Sequence, residues 1–419
     1  MQPLRGVKDI LPYEIQMWQE IYSIASNILK YNNYHEIRTP ILENTELFRR
    51  SIGNFTDIVN KEMYSFHDQG ERNITLRPEG TASIARAFIS NKLYKYKKLH
   101  RLWYMGPMFR YERPQKGRQR QFHQLGIECI GSDLPIADVE VIRLAIKILE
   151  SLKCKKYQLQ INCIGNINER EEYKIDLINY LEKYYNELDQ DSQKRLKTNP
   201  LRILDSKNKK TQTILIDAPK LKRYLKISSR KHFEEVCKNL SYLKINYSIN
   251  DSLVRGLDYY NYTAFEIKTL SSNQQNTICG GGRYDNLIEQ IGGPNTPSVG
   301  WAIGIERLIM IAKAELVKLT NENIIYIANQ TKCTYYIWDI IGVIEKYKIP
   351  FNLDLSLHSL HKQLKRANQT GSKICFIVGE DEIKNRYITV KWLATGTQQQ
   401  IYISQLHNYL KYLKQYITT

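Results

Sequence analysis

Cysteine is scarce in this sequence and irregularly spaced. The 419 residues include seven cysteines, and none of them forms a C-x-x-C pair. They stand at positions 129, 154, 163, 237, 279, 333 and 375. An odd, scattered set argues against a disulfide framework and against a structural zinc site, and it is typical of a reducing compartment. We therefore expect no metal that is held by protein ligands alone.

Long apolar runs are also missing. No stretch approaches the roughly 18 apolar residues of a membrane-spanning helix, and residues 1–6 contain no signal-peptide core. The chain has no Walker loop, no Ser-His-Asp arrangement and no H-E-x-x-H motif. We expect a protein without a membrane segment that is made and used in the same compartment.

Acidic residues are outnumbered by basic ones. Asp and Glu total 43 against 61 Lys and Arg, a formal charge of +18. Cations that neutralise phosphates release condensed counterions, so this excess favours a polyanionic partner such as a nucleic acid. The alternative is compositional, since an AT-rich genome loads a protein with Lys, Asn, Ile and Tyr, and the chain has 30 tyrosines. Charge alone leaves both interpretations open.

Apolar periodicity predicts a first region of helices and antiparallel strands. Apolar residues between Pro12 and about Asn32 have helical spacing, and a helix is predicted there. Between about Glu169 and Asn250 a Glu-, Lys- and Asn-rich stretch predicts a helical insertion without recognisable catalytic residues. Strand patterns are found at residues 74–77, 102–113, 120–131, 157–161, 253–260 and 265–267.

A second region has a different order of elements. The helix after Gly304 is predicted to end near Thr320. Strand patterns beyond it alternate with helical ones. The strands are predicted at residues 323–327, 351–353 and 374–379, and the helices at 335–347 and 360–368. This β-α-β-α-β order predicts a separate small α/β domain with a mostly parallel sheet.

Two strand patterns joined by a basic loop place polar groups on one face. Alternation puts Arg110 and Glu112 together on the outgoing strand, and Gln124, Gly126 and Glu128 together on the returning one. A hairpin would aim these groups at the same space. The alternative is a solvated basic hairpin, but Gly126 between two polar residues suits the close approach of a ligand better than packing.

Arg307 is predicted in the first turn of a helix, because residues 300–308 read as a strand that breaks into a helix at Gly304. A cation there opposes the helix dipole by roughly 0.3–1 kcal/mol unless an anion offsets it. Together with Arg110 and Arg255, it outlines an anion-binding pocket. We infer that the anion is ATP phosphate.

Glu79 and Thr81 lie at a predicted strand-to-helix transition. There they can bind an ammonium group, or they can simply cap the helix. The run of glycines at 280–282 can let backbone amides approach a ligand or can form a turn. His123 is predicted on the strand face opposite Gln124 and is interpreted as a packed histidine.

Arg255 is followed by a glycine and by the adjacent tyrosines Tyr259 and Tyr260. A phenol can hydrogen-bond one polar edge of a small ligand while its ring packs on the ligand's face. The alternative is a pair of core tyrosines.

Read together, these motifs resemble histidyl-tRNA synthetase of the bacterial type, a class II aminoacyl-tRNA synthetase, over nearly the whole chain. Residues 37–40 are similar to motif 1, a dimer-interface element, and residues 106–131 are similar to motif 2. Residues 255–260 are similar to the histidine-specific signature, and residues 304–308 are similar to motif 3, within which Glu306 is interpreted as structural support.

The resemblance implies an α+β fold with a class II antiparallel sheet flanked by helices. It implies a catalytic domain at residues 1–320, interrupted by an insertion at 169–250, and a C-terminal α/β anticodon-binding domain at 321–419. The stretches 362–367 and 378–382 carry the resemblance in that last domain. The main alternative is a non-catalytic paralogue, the regulatory subunit of ATP phosphoribosyltransferase, and a third is a nucleic-acid-binding module with a vestigial site.

The implied reaction joins histidine and ATP into histidyl-adenylate and then transfers the histidyl group to tRNA(His). Arg255 and Arg110 would be catalytic. The residues implied for ATP are Arg110, Glu112, Arg118 and Arg307. Those implied for histidine are Glu79, Gly80, Thr81, Arg110, Gln124, Glu128, Arg255, Tyr259, Tyr260 and Tyr284. Those implied for the tRNA acceptor end are Arg113, Gln115, Lys116 and Arg118. Mg²⁺ should accompany the ATP.

A homodimer is implied as well. Its compartment would be the cytoplasm, or the plastid stroma if the gene is organellar.

Overall fold

The structure, a computed structural model, describes residues 1–53, 56–115, 117–270, 277–319, 324–356 and 358–418. The chain folds into two compact units, Met1–Leu319 and Thr320–Thr419. Thr320, the predicted helix end, and residue 323, the predicted strand start, fall outside the described residues. Within these ranges no helix has both the length and the apolarity needed to cross a bilayer.

Helices and short strands alternate irregularly in the first unit. Its helices are α1 (Pro12–Tyr31), α2 (Thr45–Ile52), α3 (Thr81–Ser90), α4 (Pro135–Ser151), α5 (Ile167–Glu182), α6 (Gln190–Thr198), α7 (Lys209–Ile216), α8 (Ile227–Tyr242), α9 (Leu287–Gln290) and α10 (Ile305–Leu319). Its strands are β1 (His35–Glu36), β2 (Leu42–Asn44), β3 (Tyr64–His67), β4 (Asn73–Leu76), β5 (His100–Phe109), β6 (Gln121–Ile130), β7 (Tyr157–Cys163), β8 (Tyr247–Ile249), β9 (Asn261–Thr269), β10 (Thr277–Arg283) and β11 (Ser298–Gly304).

The predicted antiparallel sheet flanked by helices is confirmed. In the described part of the chain the large sheet has the strand order β1-β5-β6-β11-β10-β9-β7-β8. Its edge pairs β1–β5 and β7–β8 are parallel, and the pairs between them are antiparallel. Strand β4, predicted from residues 74–77, belongs instead to a small separate sheet in the order β2-β4-β3.

Helix α1 covers one face of the large sheet, as its apolar spacing predicts. Proline in its first turn suits a helix start, because the first amides have no acceptor within the helix. Its buried stripe includes Trp18, Ile21, Ala25 and Leu29, which join a core cluster with residues of β6, β9 and β11.

One predicted strand ends earlier than expected, and another is absent. The strand predicted over residues 102–113 is present but ends at Phe109: the amide of Arg110 still donates to Arg120 O at 2.9 Å, whereas that of Tyr111 donates to Glu62 O at 2.7 Å, outside the sheet. Residues 253–260 are irregular, and regular pairing begins only with β9. Within that segment the Asp258 amide donates to Ile52 O at 3.2 Å, so it is held by helix α2 rather than by a strand.

The stretch from 169 to 250 is helical, as predicted, and it is built into the first unit. Strand β8 extends the large sheet beside β7, and α8 lies against α4. Buried residues of α5, among them Tyr173 and Leu177, share a core cluster with Tyr259 and Tyr260. The insertion therefore supports the segment that carries the tyrosine pair.

The second unit has the predicted β-α-β-α-β order. Its elements are β12 (Ile325–Asn329), α11 (Tyr335–Lys346), β13 (Phe351–Leu353), α12 (Leu360–Gln369), β14 (Ile374–Val378), α13 (Glu380–Asn385), β15 (Tyr387–Trp392), β16 (Gln398–Tyr402) and α14 (Leu406–Thr418). The sheet order is β13-β12-β14-β15-β16, in which the first three strands are parallel and the last two antiparallel. The sheet is therefore mixed rather than mostly parallel. The sequence pattern does not predict the final hairpin, because its exposed glutamines leave no apolar run there.

Candidate active site

A pocket of about 220 Å³ opens where the β5–β6 hairpin meets β10, β11 and the start of α10. It brings together most of the predicted site residues. The charged residues of its wall include Arg110, Glu112, Arg118, Arg255 and Arg307. The wall also contains Glu79, Thr81, Gln124, Tyr259 and Tyr260. The three arginines that are far apart in sequence therefore converge on one cavity.

Arg110 is fixed by the segment that precedes α3. Its Nε donates to Pro78 O at 2.9 Å, and its guanidinium carbon lies 5.3 Å from the centre of the Phe122 ring. Its Nη1 is 3.9 Å from Glu112 Oε1, and Arg118 Nε is 3.2 Å from Glu112 Oε2. The predicted proximity of Arg110 and Glu112 is present although they do not lie on a strand.

Arg255 is held by a carboxylate that the sequence did not single out. Its Nη1 donates to Glu266 Oε1 at 2.6 Å, while its Nε has no hydrogen-bond partner among the described residues. Burial works against the charge of Arg255, but the Glu266 carboxylate, together with Tyr260, Cys279 and Tyr259, raises the pKa of Arg255 overall. Glu266 lies between the buried Phe265 and Ile267 on β9. A carboxylate within an apolar strand pattern is the feature of the sequence that could have indicated Glu266 as a site residue.

The glycine run does not form a turn, which was one of its two predicted roles, and approach of its amides to a ligand stays a prediction. Residues 280–282 lie within strand β10, not in a turn. A Cβ on Gly280 would lie 2.6 Å from the guanidinium carbon of Arg255, and one on Gly281 would crowd Trp301 Cβ at 2.6 Å. Gly280 thus provides the space that Arg255 occupies, and these glycines permit close packing rather than a turn.

Arg307 lies in the first turn of α10, as predicted. Its Nε donates to Gly117 O at 3.1 Å and its Nη1 to Thr277 O at 2.9 Å, and within the described residues it forms no ion pair. Burial, together with the charges of Arg118 and Arg110, lowers the pKa of Arg307. A partly buried cation crowded by like charges is the electrostatic setting in which a bound anion stabilises the site.

Glu79 caps α3 and also lines the pocket, so the capping interpretation is confirmed while ammonium binding stays a prediction. Its Oε2 accepts from the Thr81 amide at 2.7 Å and its Oε1 from the Ala82 amide at 2.8 Å. Burial raises the pKa of Glu79. Nearby, Gln124 Oε1 is buried and has no hydrogen-bond partner among the described residues. A ligand donor such as an ammonium group would satisfy that oxygen.

A buried polar layer lies behind Thr81. The Thr81 hydroxyl donates to Glu128 Oε1 at 2.7 Å, and the Tyr284 hydroxyl donates to Glu128 Oε2. Burial raises the pKa of Glu128 to about 8. Close to it, a Cβ on Gly80 would lie 2.7 Å from the Tyr104 hydroxyl, so the glycine leaves room for that ring. Tyr104 is a site neighbour that the sequence did not indicate.

The predicted acceptor-end loop is open to solvent. Arg113, Gln115 and Arg118 are exposed, while Lys116 falls outside the described residues. His123 packs against Glu306 and Trp18, and its interpretation as a packed histidine is confirmed. Its amide donates to Glu306 at 3.0 Å, its ring meets Glu306 Oε1 at 3.0 Å, and it lies edge-on to Trp18.

The pocket can accommodate a magnesium ion only if other ligands complete its coordination. The described residues contain no group of three or more His, Cys, Asp or Glu side chains placed to hold a metal. Mg²⁺ characteristically takes one or two carboxylates and fills its octahedron with phosphate oxygens and water. Glu112, in the pocket wall beside Arg110 and Arg118, fits that limited role.

Comparisons with known proteins agree with this geometry. The family model described as Histidyl-tRNA synthetase matches residues 6–308, and the one described as Anticodon binding domain matches residues 323–413. A protein of Gracilaria tenuistipitata var. liui named "Histidine--tRNA ligase, chloroplastic" is 60% identical over 98% of this chain and 97% of its own length. A Gloeothece citriformis protein named "Histidine--tRNA ligase" is 48% identical over 99% of this chain and 97% of its own length.

Solved structures show the same fold. The apo histidyl-tRNA synthetase of S. aureus superposes with a TM-score of 0.81 at 33% identity, covering 98% of this chain and 100% of that one. A structure from Bacillus halodurans titled as an ATP phosphoribosyltransferase regulatory subunit/histidyl-tRNA synthetase has a TM-score of 0.64 at 19% identity, covering 90% of this chain and 98% of that one, which shows the fold alone. The match to the anticodon-binding model and the close relatives do not favour the regulatory paralogue.

Proposed function

The chain belongs to the histidyl-tRNA synthetase family and is a ligase that joins histidine to tRNA, and from this premise we propose how its residues divide the reaction. One observation carries the proposal: Arg110, Arg255 and Arg307 line the same cavity as Glu79 and Gln124. The cations suit a nucleoside triphosphate, and the hydrogen-bond acceptors Glu79 and Gln124 suit the ammonium group of an amino acid.

Activation proceeds by attack of the histidine carboxylate on the α-phosphorus of ATP. A P–O bond to the carboxylate forms as the bond to the β-phosphate oxygen breaks, and pyrophosphate leaves with that electron pair. Arg110 and Arg255 stabilise the charge that builds up on the α-phosphate, and Arg307 binds the distal phosphates. Preorganised cations in a partly dehydrated pocket perform this task without a protein nucleophile. Bound Mg²⁺, with Glu112 as its protein ligand, would neutralise phosphate charge.

Histidine is selected by hydrogen bonding to each of its polar groups. Glu79, Thr81 and Gln124 bind the ammonium group, and Glu128 and Tyr260 bind the two imidazole nitrogens. Gly80, Tyr259 and Tyr284 shape the cavity around them. An amino acid without those nitrogens leaves buried polar groups unpaired, and such a site rejects it strongly.

Transfer follows when a hydroxyl of the terminal adenosine of tRNA attacks the carbonyl carbon of histidyl-adenylate. The new ester bond forms as the bond to the phosphate oxygen breaks, and AMP leaves. The loop with Arg113, Gln115, Lys116 and Arg118 binds the acceptor end. The second unit, which the anticodon-binding model matches, contacts the anticodon arm.

The enzyme is proposed to act as a homodimer in the plastid stroma. Strand β1 is the edge of the large sheet, and the exposed side chains of Ile41 and Leu42 follow it, so this region offers an edge and apolar surface to a second copy. The stroma is supported by three relatives at 51–60% identity whose names carry the word chloroplastic.

The assignment is tested by ATP–pyrophosphate exchange with each of the twenty amino acids in turn. Exchange that depends on histidine and is negligible with the other nineteen is expected. A folded protein without histidine-dependent exchange would contradict it and would favour a non-catalytic paralogue or a vestigial site.

A further inference from the structure

Arg77 is a buried cation that the proposed mechanism does not use. Its side chain is 7% exposed, and among the described residues it forms no ion pair. Burying a charge without a carboxylate partner is costly unless hydrogen bonds compensate. Its guanidinium makes three: Nε donates to Pro107 O at 2.9 Å, and Nη1 donates to Thr39 O at 2.9 Å and to Thr39 Oγ1 at 3.0 Å.

The backbone of Arg77 joins the same segments. Its amide donates to Ile41 O at 2.9 Å, and its carbonyl accepts from the Phe109 amide at 3.0 Å. The segment around Thr39 and Ile41 is the one that resembles the dimer-interface motif, and Pro107 and Phe109 lie on the strand that ends just before Arg110. One residue therefore connects the interface segment to the end of β5.

Two groups of the site depend on the position of this residue. Arg110 donates through Nε to the carbonyl of Pro78, the next residue in the chain, and it also follows Phe109 directly. Glu79, two residues beyond Arg77, is clamped to the start of α3 by the Thr81 amide. A shift of residues 77–79 would move the phosphate-binding guanidinium and the ammonium-binding carboxylate together.

Gly106 is independent evidence that the Arg77 guanidinium has a specific position. A Cβ on Gly106 would lie 2.6 Å from Arg77 Nη2, closer than non-bonded atoms approach. The glycine on β5 thus leaves the space that the guanidinium fills. The strand and the arginine fit each other as a pair.

We propose that Arg77 is a positioning residue that sets the relative placement of Arg110 and Glu79 and links both to the interface segment at Thr39. The proposal rests on the proposed function, because it assigns Arg77 an effect on that same site. A displacement of about 1 Å in a site of this kind can cost about a hundredfold in rate. Arg77 is not one of the residues that line the pocket, so its effect must appear in how well the substrates are held and aligned.

The test compares Arg77→Lys and Gly106→Ala with the wild type in histidine-dependent ATP–pyrophosphate exchange, with active sites counted by adenylate burst. Lysine cannot donate to Thr39 and Pro107 in the same fork geometry, and the alanine methyl displaces the arginine. Each variant is expected to raise KM for histidine and ATP and to lower kcat/KM per active site about tenfold or more. The double variant is expected to be no worse than Arg77→Lys, since the shorter cation leaves room for the methyl group.

The matched control is Arg86→Lys. Arg86 also joins two elements of this region, with Nη2 2.5 Å from Glu43 Oε1, but it touches neither residues 77–79 nor β5. Its substitution is expected to leave both KM values unchanged. A merely structural role for Arg77 would lower the number of active sites without changing KM, and that result would overturn the proposal. Absence of exchange in the wild type would instead defeat the proposed function.

Discussion

Substituting Gly280 by alanine tests the placement of Arg255 without removing it. The added Cβ would lie 2.6 Å from the guanidinium carbon, whereas non-bonded carbon atoms rest about 3.5–4.0 Å apart. The guanidinium must therefore retreat by about 1 Å. That retreat stretches the 2.6 Å pair with Glu266 and displaces the charge from the position proposed to contact the α-phosphate. Strand geometry itself is not strained, because Gly280 has no positive φ.

A misplacement of this size is expected to lower kcat/KM for histidine-dependent exchange about a hundredfold, or about 2.7 kcal/mol of activation free energy. Arg255→Ala alone should reduce adenylate formation by several orders of magnitude with a modest effect on ATP binding. The double variant should be no worse than Arg255→Ala, since both changes act through one side chain. Gly342→Ala is the control, because a Cβ there meets nothing within 4 Å. Exchange in Gly280→Ala within about threefold of wild type, or losses that add in the double variant, would refute the reasoning.

Three further predictions concern other parts of the pocket. Tyr260→Phe removes one imidazole contact and should raise KM for histidine about tenfold while leaving KM for ATP unchanged in the same assay; an unchanged histidine KM would count against that contact. Arg307→Ala should show the reverse pattern, with a higher KM for ATP and an unaltered one for histidine, and equal effects on both would argue against a distal-phosphate role. Because burial raises the pKa of Glu128 to about 8 from 4.5, its protonated form stabilises the fold at low pH, and this contribution is lost as pH rises through the folded pKa. Thermal unfolding midpoints should therefore fall less between about pH 5 and pH 8.5 in Glu128→Gln than in the wild type, and parallel curves would contradict the pKa shift.

Helices and strands with a regular spacing of apolar residues, and site residues within recognisable motifs, could be predicted from the sequence. Helix α1 and the alternation of elements in the second unit follow from the spacing of buried residues such as Ile21 and Ile340. The convergence of Arg110, Arg255 and Arg307 on one cavity was predicted from their unusual settings and from the family resemblance.

What the sequence did not predict depends on contacts between distant segments. Glu266 and Gly280 matter because strands β9 and β10 pair with Glu266 directly opposite Gly280, and both adjoin Arg255. Residues 253–260 have a strand-like pattern, yet their backbone is held by Ile52. Asn199 of the insertion adds a side-chain bond to Asp258 at 3.0 Å. A local pattern carries no information on such partners, since they are fixed only when the chain folds.

Three arginines are proposed to form one nucleotide site beside a histidine site. The most direct measurement is a crystal structure of the protein with a non-hydrolysable ATP analogue and histidinol. We predict the α-phosphate between Arg110 and Arg255, the distal phosphates at Arg307, and the imidazole next to Tyr260. A nucleotide bound away from any of the three guanidinium groups would contradict the account.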